Sequence, residues 1–231
     1  MNKVHIITLG CSKNVVDSET LSGHLLANSM QLASSPEECD TLVINTCGFI
    51  DAAKEESVNT ILEAVEAKKR GMFQTLVVAG CLSQRYGDEL REEIPEVDHY
   101  FGTEAYENII KAISPNLKYS LLGEHAVPVT ADAEVSLSGK RQVSTPRGYA
   151  YLKISEGCDR PCSFCAIPLM RGKHRSIPAD ELIAQARTLV GQGAKELVLI
   201  GQDLTYYGPD IDRKRTLSDL LRQLADESGA D

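Results

Sequence analysis

Between Val4 and Ile113, short β-branched runs alternate with stretches in which apolar side chains recur every three or four residues. Four of the runs read as strands: Val4 to Leu9, Thr41 to Asn45, Gln74 to Ala79 and a weaker one at His99 to Phe101. Between the second and third, Val58, Ile61, Leu62 and Val65 lie on one helical face. This predicts a helix from about Ala52 to Lys69, with Glu66 facing Arg70 one turn on. After the first strand, Asn14 with Asp17 three residues later predicts an N-cap that opens another helix. Alternating strands and helices build a parallel sheet covered by helices, so residues 1–113 are expected to form an α/β domain with an open parallel sheet.

The pattern lapses over residues 114–148. From Gly123 to Arg147 bulky apolar side chains are few and Ser, Thr, Ala and charged residues dominate, predicting a linker with room for a hairpin. A strand from Tyr149 to Ile154 then opens a second domain, residues 149–231. A helix is expected from Pro178, where proline suits a first turn, to Gly193, which suits a left-handed cap. Leu182, Ala186, Leu189 and Val190 form its apolar face. The strand Glu196 to Ile200 and a helix near Leu217 to Ala225 follow, completing one β-α-β crossover and starting the next. Two parallel strands cannot close a barrel, so this half reads as the front part of a larger β/α domain.

Composition adds three constraints. With 231 residues, 42% of them hydrophobic, the chain can bury a good core, which excludes a disordered protein. Met1-Asn2-Lys3-Val4-His5 carries neither a signal peptide nor a long apolar span, so a cytoplasmic protein without a membrane partner is expected. The net charge of -9 lies entirely in residues 1–113, which hold 9 basic and 18 acidic side chains. That excess argues against a nucleic-acid face there and suits a basic protein partner, although ordinary solubility accounts for it equally.

Seven cysteines without an export signal point to metal or redox chemistry rather than disulfides. Cys158, Cys162 and Cys165 form a C-x3-C-x2-C run just after a strand. Three thiolates can hold three irons of a cubane and leave the fourth open. A structural zinc site wants four ligands, and no histidine or fourth cysteine lies nearby. Cys11, Cys47 and Cys81 each follow directly on a predicted strand, and the carboxyl ends of parallel strands converge on one edge, where such sheets place ligands. Gly10, Gly48 and Gly80 beside them would let the backbone approach a bulky cluster. The rival reading is three small buried hydrophobes at strand ends. Cys39 fits neither set and reads as an ordinary thiol. His174, among Arg171, Lys173 and Arg175, reads as part of a basic loop and not as a metal ligand; Arg171 and Arg175 can meet anionic groups through charge-assisted bonds, although surface salt bridges are the commoner fate of such arginines. Gly191-Gln192-Gly193 lacks the third glycine or the lysine of a phosphate loop.

Taken together, the six cysteines resemble those of the radical S-adenosylmethionine methylthiotransferases, and the resemblance runs along essentially the whole chain. Leu9-Gly10-Cys11-Ser12-Lys13-Asn14, the stretch Asn45-Thr46-Cys47-Gly48 continuing to Ser57, and Ser155-Glu156-Gly157-Cys158 are most similar to the branch that modifies a ribosomal protein. The sister branch modifies tRNA adenosine. The resemblance implies that residues 149–231 begin a partial (β/α)6 radical barrel, with the rest of the barrel and a C-terminal TRAM domain absent. It implies two [4Fe-4S] clusters, one on Cys158, Cys162 and Cys165 that binds S-adenosylmethionine at its open iron and yields a 5'-deoxyadenosyl radical. The other, on Cys11, Cys47 and Cys81, would carry the sulfur that is methylated. The expected product is 3-methylthioaspartate in a small-subunit ribosomal protein, and the partners are that protein and a reductant protein. The alternatives are a tRNA adenosine methylthiotransferase, with tRNA as partner, and a non-catalytic iron-sulfur carrier. Phe164 resembles the family aromatic packed near the adenine, against the rival of a core phenylalanine. Gln202 or Asp203 stands where many radical enzymes place a Gly-Gly-Glu that meets the cofactor's amino group. No acid-base residue is assigned beyond the cluster ligands.

Overall fold

A computed structural model of the chain describes residues 2–114, 141–146 and 148–229. They form two compact units divided between residues 114 and 141. Most of the expected linker, with its hairpin, lies outside the described residues.

The first unit is a sheet of five parallel strands in the order β2-β1-β3-β4-β5: β1 Lys3–Thr8, β2 Gln31–Leu32, β3 Thr41–Thr46, β4 Thr75–Gly80 and β5 His99–Tyr100. Helix α1 (Ser12–Ala27) follows β1, α2 (Asp51–Lys69) follows β3, α3 (Cys81–Glu93) follows β4, and α4 (Tyr106–Ile113) ends the unit. Side chains alternate across each strand, so Leu42, Ile44, Leu76 and Val78 pack with Ile61, Val65, Leu82 and Leu90 on the face under α2 and α3. Val43 and Val77 pack on the other face with Leu21 and Leu25 of α1 and with Ile109 and Ile110 of α4. Every residue of β3 is buried, as expected for the centre of a parallel sheet covered on both faces. Truncating Ile44 to alanine there is expected to cost about 2–5 kcal/mol.

Three local expectations change. The N-cap of α1 is Cys11, and Asn14 lies inside the first turn with no exposed surface. Asn14 turns its amide across the sheet edge, where there are carbonyls to satisfy, instead of back onto its own helix. Glu66 pairs with Lys69 at 3.1 Å, and Arg70 follows the helix as its C-cap residue. Strand β2 escapes the sequence pattern because two residues are too few to show a period.

In the second unit β6 (Tyr149–Lys153) pairs in parallel with β9 (Glu196–Ile200), while β7 (Ser155–Glu156) pairs antiparallel with β8 (Arg175–Ser176). The five-residue helix α5 (Ile167–Arg171) lies between β7 and β8. Helices α6 (Ala179–Gly191) and α7 (Leu217–Glu227) cover β6 and β9 through Leu182, Ala186, Leu189, Leu220 and Leu224. Gly193 takes the left-handed φ of 103° that ends α6, and Thr216 with Asp219 forms the reciprocal cap of α7.

Candidate functional site

The strand order of the first unit reverses at β1 and β3, and the crevice outside the carboxyl ends of those strands is where such sheets bind ligands. Cys11 and Cys47 leave those two strands, and Cys81 leaves β4, their next neighbour. Pairing of Thr8 with Asn45 and of Thr46 with Gly80 brings the three strand ends level. The loops beyond them touch. A methyl group on Gly10 would come within 2.5 Å of Cys47 Cβ, and one on Gly48 within 3.0 Å of the Cys81 carbonyl oxygen. These two glycines are small because the cysteine loops pack on one another.

Neutral hydrogen bonds hold the loops. Asn14 Nδ2 donates to the carbonyls of Leu9 and Thr46 at 2.8 and 3.0 Å, tying the segments that carry Cys11 and Cys47. Asn45 Nδ2 donates to Asn14 O and Ser18 Oγ. Ser57 Oγ accepts from the amide of Cys47 and donates to its carbonyl. Cys47 and Cys81 are buried and Cys11 half-buried. Cys39 precedes β3 and so sits at the opposite end of the strands. Its Sγ donates to Pro36 O, and burial pushes its thiol pKa up.

In the second unit the cysteines lie on one loop. Gly157 opens it at φ 72°, where a methyl group would come within 2.0 Å of the Lys173 carbonyl. Cys158 N–H donates to Gly172 O, Cys165 N–H to Cys162 O, and His174 N–H to Asp159 Oδ1, so the loop is closed at its base by the β7–β8 pair. Cys162 is exposed, and Cys158 and Cys165 are half-buried. Phe164 is 91% exposed, which removes the core reading.

Beneath the loop lies a buried ionic cluster. Glu156 Oε2 accepts from Lys153 Nζ at 2.8 Å and from Arg171 Nη1 at 3.3 Å. Its Oε1 accepts from Gly157 N–H and from Gln202 Nε2. Arg171 therefore makes a charge-assisted bond to a buried carboxylate, the expected alternative to a surface salt bridge. His174, between Lys173 and Arg175, is buried, with Nε2 3.1 Å from Ser176 Oγ. Asp203 accepts from Thr205 and pairs with Arg160 Nε at 2.6 Å. The Thr205 hydrogen bonds, then Arg160, hold its carboxyl below the usual aspartate range.

Three cysteines in each unit could hold three irons of a cubane and leave the fourth open. Among the described residues no three Cys, His, Asp or Glu side chains stand as a single-ion site, whereas in a cubane each thiolate meets a different iron. In the second unit Ser155 Oγ and Gln202 Oε1 are buried without a hydrogen-bond partner among the described residues, beyond the carboxyl ends of β6 and β9. Unpaired buried polar atoms cost about 1–3 kcal/mol each, so a polar ligand fits here.

Comparison with known proteins agrees with both units. Residues 3–102 match the uncharacterized protein family UPF0004, and residues 152–228 match the radical SAM superfamily. The ribosomal protein uS12 methylthiotransferase RimO of Christiangramia forsetii is 51% identical over 99% of this chain and 47% of its own length. That of Flavobacterium johnsoniae is 52% identical over 99% of this chain and 49% of its own. The chain joins a UPF0004 region to a radical SAM domain. It spans about half the length of the curated relatives it matches.

Among solved structures, the radical S-adenosylmethionine methyltransferase TsrM from Kitasatospora setae superposes with a TM-score of 0.66 at 12% identity, covering 100% of this chain and 52% of that one. The cobalamin-dependent radical enzyme OxsB superposes at 0.62 and 15% identity, covering 98% of this chain and 37% of that one. At such identities the likeness is one of fold. The radical SAM family brings with it S-adenosylmethionine and a [4Fe-4S] cluster. Among the described residues no helix of the chain is long and apolar enough to cross a membrane.

Sequence reasoning missed the Lys153–Glu156–Arg171 cluster. The spacing of Lys153 and Glu156 along β6 and β7 was visible, and charged residues in a short apolar strand are the signal that could have revealed it. Nothing local announces Ser57, which acts on a cysteine 10 residues away.

Proposed function

We propose that the chain carries the two cluster-binding units of an enzyme that adds a methylthio group to an aspartate of a small-subunit ribosomal protein. Support for the chemistry comes from one observation above the others: two separate sets of three cysteines, one at the carboxyl edge of a parallel sheet and one on a single loop closed by the antiparallel β7–β8 pair. Support for the substrate comes from relatives half identical to the chain that bear the name of uS12 methylthiotransferase. The acid excess of residues 1–113 suits a basic protein better than tRNA.

In this reading Cys158, Cys162 and Cys165 hold the cluster that binds S-adenosylmethionine, and Cys11, Cys47 and Cys81 hold a second. Such clusters supply one-electron cleavage of the sulfonium and a bound sulfur for methylation. The residues of the chain bind and position. Gln202 Oε1 and Ser155 Oγ offer hydrogen-bond groups to the cofactor, and exposed Phe164 offers a ring for its adenine. Asp203, occupied by Thr205 and Arg160, steadies the cysteine loop next to the cofactor. A reductant protein supplies the electron.

The test joins this chain to the C-terminal half of the Flavobacterium johnsoniae relative and assays it anaerobically with S-adenosylmethionine and a reductant. A gain of one methylthio group on an aspartate of uS12 is expected. Modification of an adenosine in tRNA with none on uS12 would assign the sister activity, and neither product would leave a cluster carrier.

A further inference from the structure

Glu156 is a fully engaged buried carboxylate, and its engagement has a direction. Two cations, Lys153 and Arg171, converge on Oε2, while Oε1 receives the amide of Gly157 and the side chain of Gln202. Lys153, Glu156 and Arg171 are 2%, 4% and 7% exposed. Every contact given for the carboxylate is a donor to it: two cations on Oε2 and two N–H groups on Oε1. Gln202 must therefore present its NH2 group to Glu156, and its carbonyl oxygen must point the other way. That oxygen is buried and, among the described residues, without a partner, as is Ser155 Oγ. Gly201 keeps the two segments close, since a methyl group there would come within 2.7 Å of Ser155 Oγ.

Resting on the function proposed above, we propose that Glu156 is the positioning residue of the radical site. It fixes the first peptide of the cysteine loop through Gly157 N–H and locks the Gln202 amide with its oxygen toward the cofactor. The amide alone would be indifferent to a half-turn that exchanges oxygen for nitrogen. Glu156 removes that freedom, so the ligand meets an acceptor suited to a donor such as the amino group of S-adenosylmethionine. Lys153 and Arg171 hold the carboxylate in place.

The experiment uses the chain reconstituted anaerobically with iron and sulfide. It reads iron content, equilibrium binding of S-adenosylmethionine, and the change that S-adenosylmethionine makes in the electron paramagnetic resonance of the reduced cluster. In Glu156→Gln the new amide can donate to Gln202 and let it turn over, presenting NH2 to the cofactor. Iron content is expected to stay at the parent value, affinity to fall about tenfold, as for loss of one charge-assisted hydrogen bond, and the spectral change to disappear.

The exchange of roles, Glu156→Gln with Gln202→Glu, restores an acceptor toward the cofactor and should recover affinity to within about threefold, together with the spectral change. Gln202→Met should match Glu156→Gln with iron retained. Parent-like binding by Glu156→Gln overturns the proposal, as does an exchange variant no better than the single one. If Glu156→Gln alone does not fold, the exchange variant and Gln202→Met decide: recovery in the first and loss in the second are expected, and the reverse overturns the proposal. A parent chain that takes up iron yet binds no S-adenosylmethionine overturns the functional reading beneath it.

Discussion

The two cysteine sets solve one problem in opposite ways. Cys11, Cys47 and Cys81 are scattered over 70 residues and depend on the sheet: strand register makes their loops level, and the loops pack on each other through Gly10 and Gly48. Cys158, Cys162 and Cys165 are contiguous and half-buried to exposed, so no sheet has to assemble them. What they need is a floor that stops a short loop from wandering. Neutral amides and hydroxyls fasten the first set, and charged groups fasten the second, with Glu156 below the loop and Asp159 and Asp203 at its sides. A site gathered from distant strands draws rigidity from the core, whereas one written in a single segment needs ionic anchors of its own.

The largest expected effect breaks the comparison in half. The reconstituted chain should hold about eight irons, and alanine at Cys158, Cys162 and Cys165 together should remove about half of them, because each set serves its own cubane. Alanine at Cys11, Cys47 and Cys81 should remove the other half while cleavage of S-adenosylmethionine to 5'-deoxyadenosine, followed by chromatography, continues. An unaltered chain with about four irons, unchanged by either triple substitution, would sink the two-cluster reading.

Next in size are single changes to the fastenings. Gly157→Ala places a methyl group against the Lys173 carbonyl at a left-handed φ, a strain on the order of 3 kcal/mol with no flexible neighbour to yield. It should open the loop of the second set, seen as lost protection from hydrogen exchange at Cys158 N–H. Ser57→Ala leaves the Cys47 amide and carbonyl unpaired and should cost about 1–3 kcal/mol in urea unfolding of the first unit. Protection unchanged in the first variant, or stability unchanged in the second, would mean that these contacts do not hold the loops.

The same contrast explains what the sequence disclosed. Short β-branched runs exposed β1, β3 and β4, helical spacing exposed α2 and α6, and the C-x3-C-x2-C run is legible because it lies in one segment. The convergence of Cys11, Cys47 and Cys81 was legible only through topology: parallel strands put their ends on one edge. Lost to sequence reading were features made by long-range pairing. Asn14 reads locally as a cap, yet its amide serves carbonyls of Leu9 and Thr46. Arg171 reads more readily as a surface cation, yet Glu156, 15 residues earlier, draws it inside. A polar side chain follows the nearest unsatisfied group in space, and one-dimensional spacing carries no record of it.

The smallest predicted effect separates the two fastenings by acid. Thr205 and Arg160 hold the Asp203 carboxyl below its ordinary value, so the stabilisation is fully present above about pH 4 and is lost as pH falls through the folded-state pKa. Arg160 is half-exposed, and water screens the pair, so the effect on the whole chain is slight and must be read locally. Hydrogen exchange, corrected for the intrinsic rate at each pH, gives that local reading. Protection of Cys158 N–H, which donates to Gly172 O, should fall below about pH 4 while that of Leu9 N–H, which donates to Asn45 O, holds. In Asp203→Asn the amide cannot titrate, and Cys158 should begin with lower protection at neutral pH and lose less on acidification. Parallel loss at Cys158 and Leu9, with no difference in the variant, would show that both loops answer to global unfolding and that charge has no separate part in holding the second.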